Sequence, residues 1–272
     1  MIVKSLGQTS FTELMECFLE AFQNYFVKMP TDYDYYKKRW QAAMVDYNLS
    51  YGMFEGDKLV GFIINAIDQR DAHRIAFNTG TGVIPAYRGK KIVKEIYDYA
   101  IPDLKNHGIT KCSLEVITDN VIAINSYRSI GFQKTKYYKC FNGTLKSNKR
   151  DFNLKEVNYD QIDWSTLPNQ ELYSWDNHRH CLSKGDYRYF QVLEDNKEIA
   201  FFVINPEINY VAQLDVLAEA ESYWDILFSS IHYISETIKI NNVDDRLKTK
   251  IEALENAGLE NSIDQFEMEL LF

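Results

Sequence analysis

The chain has 272 residues, and 46% of them are hydrophobic, which is enough to build a sizeable core in one or two domains. Its formal net charge of −9 argues against a nucleic acid as its partner. The sequence has neither an apolar signal region at its start nor an apolar run that could span a bilayer, so we expect a cytoplasmic protein with no membrane partner.

Charge is divided unevenly along the chain. Up to residue 145 there are 18 Lys and Arg against 15 Asp and Glu, and the remainder has 12 against 24. An anionic ligand is therefore favoured in the first half, although the acidity of the second half equally fits a surface that only aids solubility. We interpret the four scattered cysteines, which lack metal or disulfide spacing, as reduced core thiols: Cys17, Cys112, Cys140 and Cys181.

The first quarter of the chain predicts a short strand and two helices. The strand covers Ile2–Leu6. Ser10 can cap a helix that runs from Phe11 to about Gln23, because a serine hydroxyl accepts a hydrogen bond from an otherwise unpaired amide at a helix start. A second helix is predicted over Tyr33–Asp46.

Strands follow these helices. Tyr51–Glu55 and Leu59–Ile67 flank a Glu-Gly-Asp-Lys turn, which is typical of a hairpin. A third strand, Ile75–Ile84, contains Gly80 and Gly82, and glycine inside a strand often marks a bulge or a close backbone approach.

The next elements alternate between helix and strand. After the turn at Pro85–Gly89, apolar residues at helical spacing predict a helix, in which Pro102 is expected to cause a kink or to thin the last turns. The remaining predictions are a strand over Thr110–Ile117, a helix over Val121–Ile130 and a strand over Tyr137–Phe141.

The second half weakly repeats the first. Glu194-Asp-Asn-Lys-Glu-Ile-Ala-Phe resembles Glu55-Gly-Asp-Lys-Leu-Val-Gly-Phe at an offset of 139, and further matches pair Val216 with Val83 and Gly258-Leu259 with Gly131-Phe132. We infer two tandem domains, residues 1–143 and 154–272, joined by the polar run Asn142–Asn153. Coincidence between two ordinary α/β stretches is the alternative.

The sequence around Pro85 carries the most specific signal. Val83-Ile-Pro85-Ala-Tyr-Arg88-Gly89-Lys90, followed by a helix, resembles the acetyl-CoA-binding motif of the GNAT acyltransferase superfamily, which reads V-x-P-x-x-R-G-x-G-x-G/A. A second family element is similar to the strand Leu114-Glu115-Val116 followed by Asn120, Ala123, Tyr127 and Gly131-Phe132. The resemblance covers about Val83 to Phe132. It implies an α/β (α+β) fold of two tandem GNAT-like domains, each with a mixed, mostly antiparallel sheet flanked by helices.

The resemblance implies an N-acetyltransferase that uses acetyl-CoA as cosubstrate and no metal. Elementary electrostatics agrees, because the unpaired amides and partial positive charge of a helix start suit a pyrophosphate. A solvated basic turn is the alternative for the cations of the motif taken alone. The resemblance places the cofactor against Val83, Ile84, Arg88, Gly89, Lys90, Lys91, Ile92, Val93, Asn120, Ala123 and Tyr127.

Two positions depart from the family pattern. Lys91 stands where the family has glycine, and Val93 stands where it has glycine or alanine. A lysine still fits if its side chain points away from the cofactor or meets a phosphate, whereas the valine narrows the space for the cofactor. These departures leave open the alternative of a non-catalytic acyl-CoA-binding or interaction module.

The resemblance also assigns the chemistry. It makes the backbone N–H of Val83 the oxyanion donor and Tyr127 the general acid, since a phenol with a pKa of about 10 is protonated at neutral pH. The alternative interpretation is that Tyr127 is an aromatic packing residue. Glu115 is either the general base or a fixed structural carboxylate, and the carboxylate of Phe272 is an outside candidate. Because no cysteine accompanies the motif, we expect direct transfer in a ternary complex.

The second half lacks the cofactor motif. No Arg-Gly turn follows Val216, and Leu254 stands at the position of Tyr127, so we expect this half to bind no acyl-CoA. Its acidity favours a cationic acceptor such as an amine-bearing small molecule, and amino sugars, polyamines, amino acids and a protein lysine all remain possible. His178 and His180, two residues apart, do not share a helix face, which argues against a metal site. The sequence leaves open the acceptor, the length of the acyl group and the oligomeric state.

Overall fold

The computed structural model describes residues 1–23, 25–70, 72–146, 151–218 and 220–272. The chain divides into two compact units, Met1–Thr135 with Phe266–Phe272, and Lys136–Gln265. The sequence places the boundary in Asn142–Asn153; Asn142 still belongs to a strand, and residues 147–150 of that run lie outside the described residues. Local sequence pattern also cannot show that the last residues of the chain pack in the first unit.

The first unit alternates strands and helices in the predicted order. Its elements are β1 (Ile2–Ser5), α1 (Phe11–Ala21), α2 (Tyr33–Ala42), β2 (Tyr51–Glu55), β3 (Lys58–Arg70), β4 (His73–Val83), α3 (Ile92–Asn106), β5 (Lys111–Ile117) and α4 (Val121–Ile130). β6 (Gln133–Thr144) begins in this unit and continues in the second, and β12 (Glu260–Leu271) ends in it. α2 stops earlier than predicted, since Met44 takes a left-handed φ of 67°. Pro102 lies inside α3, which continues to Asn106.

The sheet of the first unit is mixed and mostly antiparallel. Its order is β1-β2-β3-β4-β5, with the end of β12 beside β5. The pairs from β1 to β4 are antiparallel, whereas β4 and β5 are parallel. Parallel neighbours need a crossover connection, and α3 supplies it.

Aromatic side chains of α1 and α2 pack over the sheet. Phe18 lies 5.7 Å from Phe62 of β3 and 5.5 Å from Trp40 of α2, measured between ring centroids. A Cβ added at Gly82 would lie 2.6 Å from the Phe62 ring and 2.8 Å from Cβ of Ala21, so only glycine lets α1 approach β4 this closely. The predicted close backbone approach at this glycine is therefore confirmed.

The second unit repeats the same order of elements. After β7 (Asn153–Val157) and α5 (Arg179–Leu182) come β8 (Arg188–Glu194), β9 (Lys197–Asn205), β10 (Tyr210–Val216), α6 (Glu221–Ile234), β11 (Thr237–Asp244) and α7 (Lys248–Asn256). Its sheet order is β6-β11-β10-β9-β8-β7. Val216 ends β10 as Val83 ends β4, which agrees with the internal repeat inferred from the sequence.

The four cysteines are buried free thiols, as predicted. Among the described residues, no helix is both long enough and apolar enough to cross a membrane.

Candidate active site

β4 and β5 separate partway along their length. Their parallel pairing extends from Ile75 opposite Lys111 to Asn78 opposite Leu114, and no β4–β5 pair follows among the described residues. β4 stays paired with β3 as far as Val83. The edge of β4 that faces β5 is thus released from strand pairing over its last residues.

A β-bulge marks the point of separation. Ile64 of β3 pairs with Gly80 and Asn65 pairs with Asn78, so Thr79 is an extra residue in β4. The backbone N–H of Gly80 donates to Oδ1 of Asn78 at 3.0 Å and closes the bulge. The strand irregularity predicted from the glycines is confirmed here.

α3 begins without a side-chain cap. Lys91 occupies the N-cap position with φ 59° and ψ 21°, and its side chain makes no capping hydrogen bond. Gly89 is also left-handed, with φ 76°. The first amides of a helix have no acceptor within it, and left-handed residues beside a helix start turn successive N–H groups toward one side. This end of α3 therefore presents amide donors and a partial positive charge to an anion.

The two departures from the family pattern are accommodated differently. Lys91 adopts the left-handed backbone that a glycine adopts freely, which costs a lysine about 1–2 kcal/mol. Its side chain is exposed. The side chain of Val93 is half-buried and packs against the hydrophobic core.

Arg88 connects two elements of the first unit. Its Nη2 donates to the carbonyl of Ala21 at 2.8 Å, and its Nε donates to the carbonyl of Val83 at 3.2 Å. The guanidinium therefore ties the end of α1 to the end of β4. Nζ of Lys90 lies 4.4 Å from the ring centroid of Tyr87. The contribution of Arg88, Lys90 and Lys91 to cofactor binding stays a prediction.

α4 places Tyr127 beside the released end of β4. Asn120 caps this helix, and its Oδ1 accepts from the N–H of Ala123 at 3.2 Å. The Tyr127 side chain is buried, and its hydroxyl interacts with the side chain of Thr81. Burial raises the pKa of Tyr127 to about 12, the Thr81 hydrogen bond acts against that rise, and Tyr25 adds to it. The phenol is therefore protonated throughout the neutral range.

Three residues near Tyr127 were not identified from the sequence as part of the site, namely Asn78, Thr81 and Tyr25. Nδ2 of Asn78 lies 2.5 Å from Oγ1 of Thr81 and 2.6 Å from Oη of Tyr97. Tyr25, which follows α1, interacts through its hydroxyl with the side chain of Asn120. The paired glycines beside Asn78 and Thr81 were a usable signal, because they marked the bulge. No sequence pattern identified Tyr25.

The two candidate bases lie at different ends of β5. Glu115 directly follows the last residue of β5 that pairs with β4, and it is half-buried. The backbone N–H of Phe272 donates to the carbonyl of Thr110 at 3.1 Å, just before the start of the strand. At 3.3 Å per residue, about 16 Å of strand separates Thr110 from Glu115. The geometry favours Glu115 over Phe272, and its role as the base stays a prediction.

Comparison with known proteins identifies this unit. Residues 11–132 match the model of the Acetyltransferase (GNAT) family. The first unit is a GNAT domain. The sequence matches no curated protein.

Solved structures extend the likeness in fold to the whole chain. A tandem GNAT protein from the clavulanic acid biosynthesis pathway has a TM-score of 0.66 at 12% identity, covering 98% of this chain and 96% of that one. A GCN5-related N-acetyltransferase from Sphaerobacter thermophilus has a TM-score of 0.70 at 6% identity, covering 99% and 95%. One from Anabaena variabilis ATCC 29413 has a TM-score of 0.65 at 12% identity, covering 99% and 72%. At such low sequence identities, the structural likeness establishes the tandem fold and nothing about activity.

In the second unit, an ion pair lies where the GNAT domain has two small residues. The repeat aligns Asp215 with Gly82 and Lys250 with Ala123. Nζ of Lys250 lies 2.8 Å from Oδ2 of Asp215, and both side chains are more than nine-tenths buried. A cavity of about 20 Å³ between β10 and β11 reaches Lys250. A cavity of this size holds about one water molecule, so it does not admit a cofactor arm.

The paired histidines lie in the second unit. His178 caps α5, its Nδ1 accepts from the backbone N–H of His180, and the two ring centroids are 4.5 Å apart. The expectation that these residues hold no metal stays a prediction.

Proposed function

We propose that the GNAT domain transfers an acetyl group from acetyl-CoA to a primary amine by direct attack in a ternary complex. One observation carries the proposal. The pairing of β4 with β5 ends at Asn78, and we interpret the gap that this leaves at the carboxyl end of β4 as a cofactor cleft, beside the uncapped start of α3 and the phenol of Tyr127.

The residues at this cleft fit acetyl-CoA. The amides from Gly89 to Val93 would hold the pyrophosphate, because the start of α3 has no side-chain cap and a Cβ added at Gly89 would meet nothing within 4 Å. Lys90 and Lys91 would add positive charge. Asn120 and Ala123 would border the cofactor arm, and the second unit would bind none because its ion pair fills the equivalent position.

The side chains divide the chemistry between them. Bound acetyl-CoA supplies an activated acetyl group and a sulfur leaving group. The backbone N–H of Val83 would donate to the acetyl oxygen as negative charge develops there. Tyr127 would give its phenolic proton to sulfur, since its raised pKa keeps that proton in place beforehand. Glu115 would take a proton from the amine, directly or through a water molecule.

Direct attack is favoured over a covalent enzyme intermediate. Cys112 of β5 is the cysteine nearest to the cleft in sequence, and burial raises its pKa to about 12. A thiol with so high a pKa is protonated and is a poor nucleophile. Four buried thiols also support the proposal of a reducing, cytoplasmic setting.

The acceptor is proposed to be an amine, and two features favour different kinds. The acidic second half of the sequence favours a cationic amine. In the GNAT domain, however, Phe26 and Val121 are 56% and 59% exposed, and each directly follows one member of the Tyr25–Asn120 pair in the sequence. Exposed apolar side chains beside a reaction centre favour an amine that carries an apolar group. A panel containing polyamines, amino sugars and arylalkylamines, assayed by thiol release, separates the two.

Tyr127→Phe tests the proposed function. The phenyl ring preserves packing, so we expect the acetyl-CoA dissociation constant to stay within about twofold of wild type while kcat falls about 100-fold, the usual contribution of a general acid. Binding is measured by calorimetry and turnover by thiol release. Equal loss of binding and turnover would assign Tyr127 to packing. A wild-type protein that binds acetyl-CoA and releases no thiol with any amine would favour the non-catalytic module.

A further inference from the structure

A buried chain of hydrogen bonds leads from the β4 bulge to Tyr127, and its direction is fixed at one end. The backbone N–H of Gly80 can only donate, so the Asn78 side-chain atom 3.0 Å from it is the carbonyl oxygen. Nδ2 of Asn78 therefore faces the opposite way. It donates to Oγ1 of Thr81 at 2.5 Å and to Oη of Tyr97 at 2.6 Å.

The bulge makes this chain of bonds possible. In a regular strand, residues 78 and 81 would point to opposite faces of the sheet, because side chains alternate with a period of two. Thr79 adds one residue and shifts the phase, so that Asn78 and Thr81 share a face. Tyr97 of α3 and Tyr127 of α4 meet them there.

The Thr81 hydroxyl then has one proton to give and one partner to receive it. Among the described residues, its polar neighbours are Asn78, which donates to it at 2.5 Å, and the hydroxyl of Tyr127. Since it accepts from the amide of Asn78, its proton is directed at the phenolic oxygen of Tyr127. The phenol accepts that bond and keeps its own proton free for a third group.

From this order of donors we infer that Asn78 and Thr81 are positioning residues that present Tyr127 as a proton donor to the cleft. The inference rests on the proposed function for the identity of the proton acceptor, the sulfur of the departing thiol. When the carbon–sulfur bond breaks, the electron pair goes to sulfur and the phenolic proton follows it. The Thr81 hydroxyl already points at the oxygen that is left negative, and a proton derived from the amine through solvent restores the phenol.

The ionisation of Tyr127 in the cofactor-free protein tests this order directly. Replacing Tyr127 by a fluorinated tyrosine lowers the intrinsic pKa into the range where the protein is folded, and its absorbance is titrated. The titratable groups facing this phenol are Tyr97 on α3 and Tyr25 after α1, with Cys112 on β5 beside Tyr97. Their own pKa values are raised, so they stay neutral during the titration.

Four variants give the expected pattern. Thr81→Val removes the donor and should raise the Tyr127 pKa by about one unit, with Thr81→Ser restoring it. Asn78→Asp replaces the donating amide by an acceptor, turns the Thr81 proton away from Tyr127 and should raise the pKa further. Thr79→Val is the matched control, because the Thr79 hydroxyl is buried without a hydrogen-bond partner among the described residues.

Turnover provides the second readout. With acetyl-CoA and an accepted amine, Thr81→Val should lower kcat about tenfold at unchanged KM, and Thr81→Ser should recover most of it. Circular dichroism confirms folding, and Asn78→Asp replaces Thr81→Val if the latter does not fold. Unchanged Tyr127 ionisation in both variants would overturn the inference. A protein that binds no acetyl-CoA would overturn the proposed function and leave the ionisation test intact.

Discussion

Because Lys91 has a left-handed backbone, we predict that its replacement by glycine stabilises the protein. Lys91 has φ 59° and belongs to the first unit, where glycine adopts the same conformation without strain. Lys91→Gly therefore relieves the strain and leaves α3 without a cap, as before. Lys90→Gly is the matched control, because it removes the same charge one residue earlier, at a residue whose φ is not positive.

The magnitude follows from two opposing effects. A non-glycine residue in the left-handed region costs about 1–2 kcal/mol, and glycine gives back about 0.5–1 kcal/mol through the greater freedom of the unfolded chain. Lys91→Gly should therefore raise the free energy of unfolding by about 0.5–1 kcal/mol. Lys90→Gly should lower it by about 0.5–1 kcal/mol, since only the unfolded-state effect remains.

Urea unfolding followed by tryptophan fluorescence measures both variants under the same conditions. The expected result is a difference of about 1–2 kcal/mol between them, with opposite signs relative to wild type. Equal destabilisation by the two substitutions would show that Lys91 is not held in the left-handed conformation, and the described geometry of the α3 start would be wrong.

Three further predictions concern the ties within each unit. Arg88→Ala should destabilise the GNAT domain by about 1–2 kcal/mol in urea unfolding, because two carbonyls at the ends of α1 and β4 lose their donor. Arg88→Lys should not restore this stability, since one ammonium cannot reproduce the two N–H donors of the guanidinium. Lys250→Ala should lower the free energy of unfolding by about 3–5 kcal/mol, because it leaves the buried Asp215 carboxylate without its counter-ion. Lys250→Met combined with Asp215→Leu should cost far less stability. Equal losses by the two variants in thermal melts would contradict this. Burial raises the pKa of Tyr127 and of Tyr36 to about 12, so the stability they contribute is complete below pH 10 and is lost between pH 10 and 12; a flat unfolding free energy over that window would contradict it.

Much of the fold is predictable because short patterns determine it. The hairpin at Glu55-Gly-Asp-Lys, the helix after Gly89 and the helix that Gly131 ends all lie where the sequence places them. The path of the last strand is not predictable in this way. Phe266–Phe272 packs in the first unit, although the sequence between it and that unit belongs to the second. Apolar alternation shows that a strand forms, and it carries no information about which sheet the strand joins.

The candidate site was predictable as a set of motifs, and its hydrogen bonds were not. The motif indicated the start of α3 and Tyr127, both lie near the end of β4 that is unpaired with β5, and their roles there stay predictions. Asn78 and Thr81 escaped notice because they are three positions apart, which in a regular strand places them on opposite faces. Only the register of β3 against β4 reveals the extra residue that joins them. The sequence placed Arg88 against the cofactor, and it could not show the two carbonyls that its guanidinium also meets.

Calorimetric titration with acetyl-CoA, combined with NMR chemical shifts of the backbone amides in the same sample, tests the central claim most directly. The claim is that the amide-rich start of α3 binds the pyrophosphate and that the second unit binds no cofactor. We predict one molecule bound per chain, with the largest shifts at the amides of Gly89 to Val93 and none in α6. No binding, two equivalent sites or shifts confined to the second unit would contradict the account.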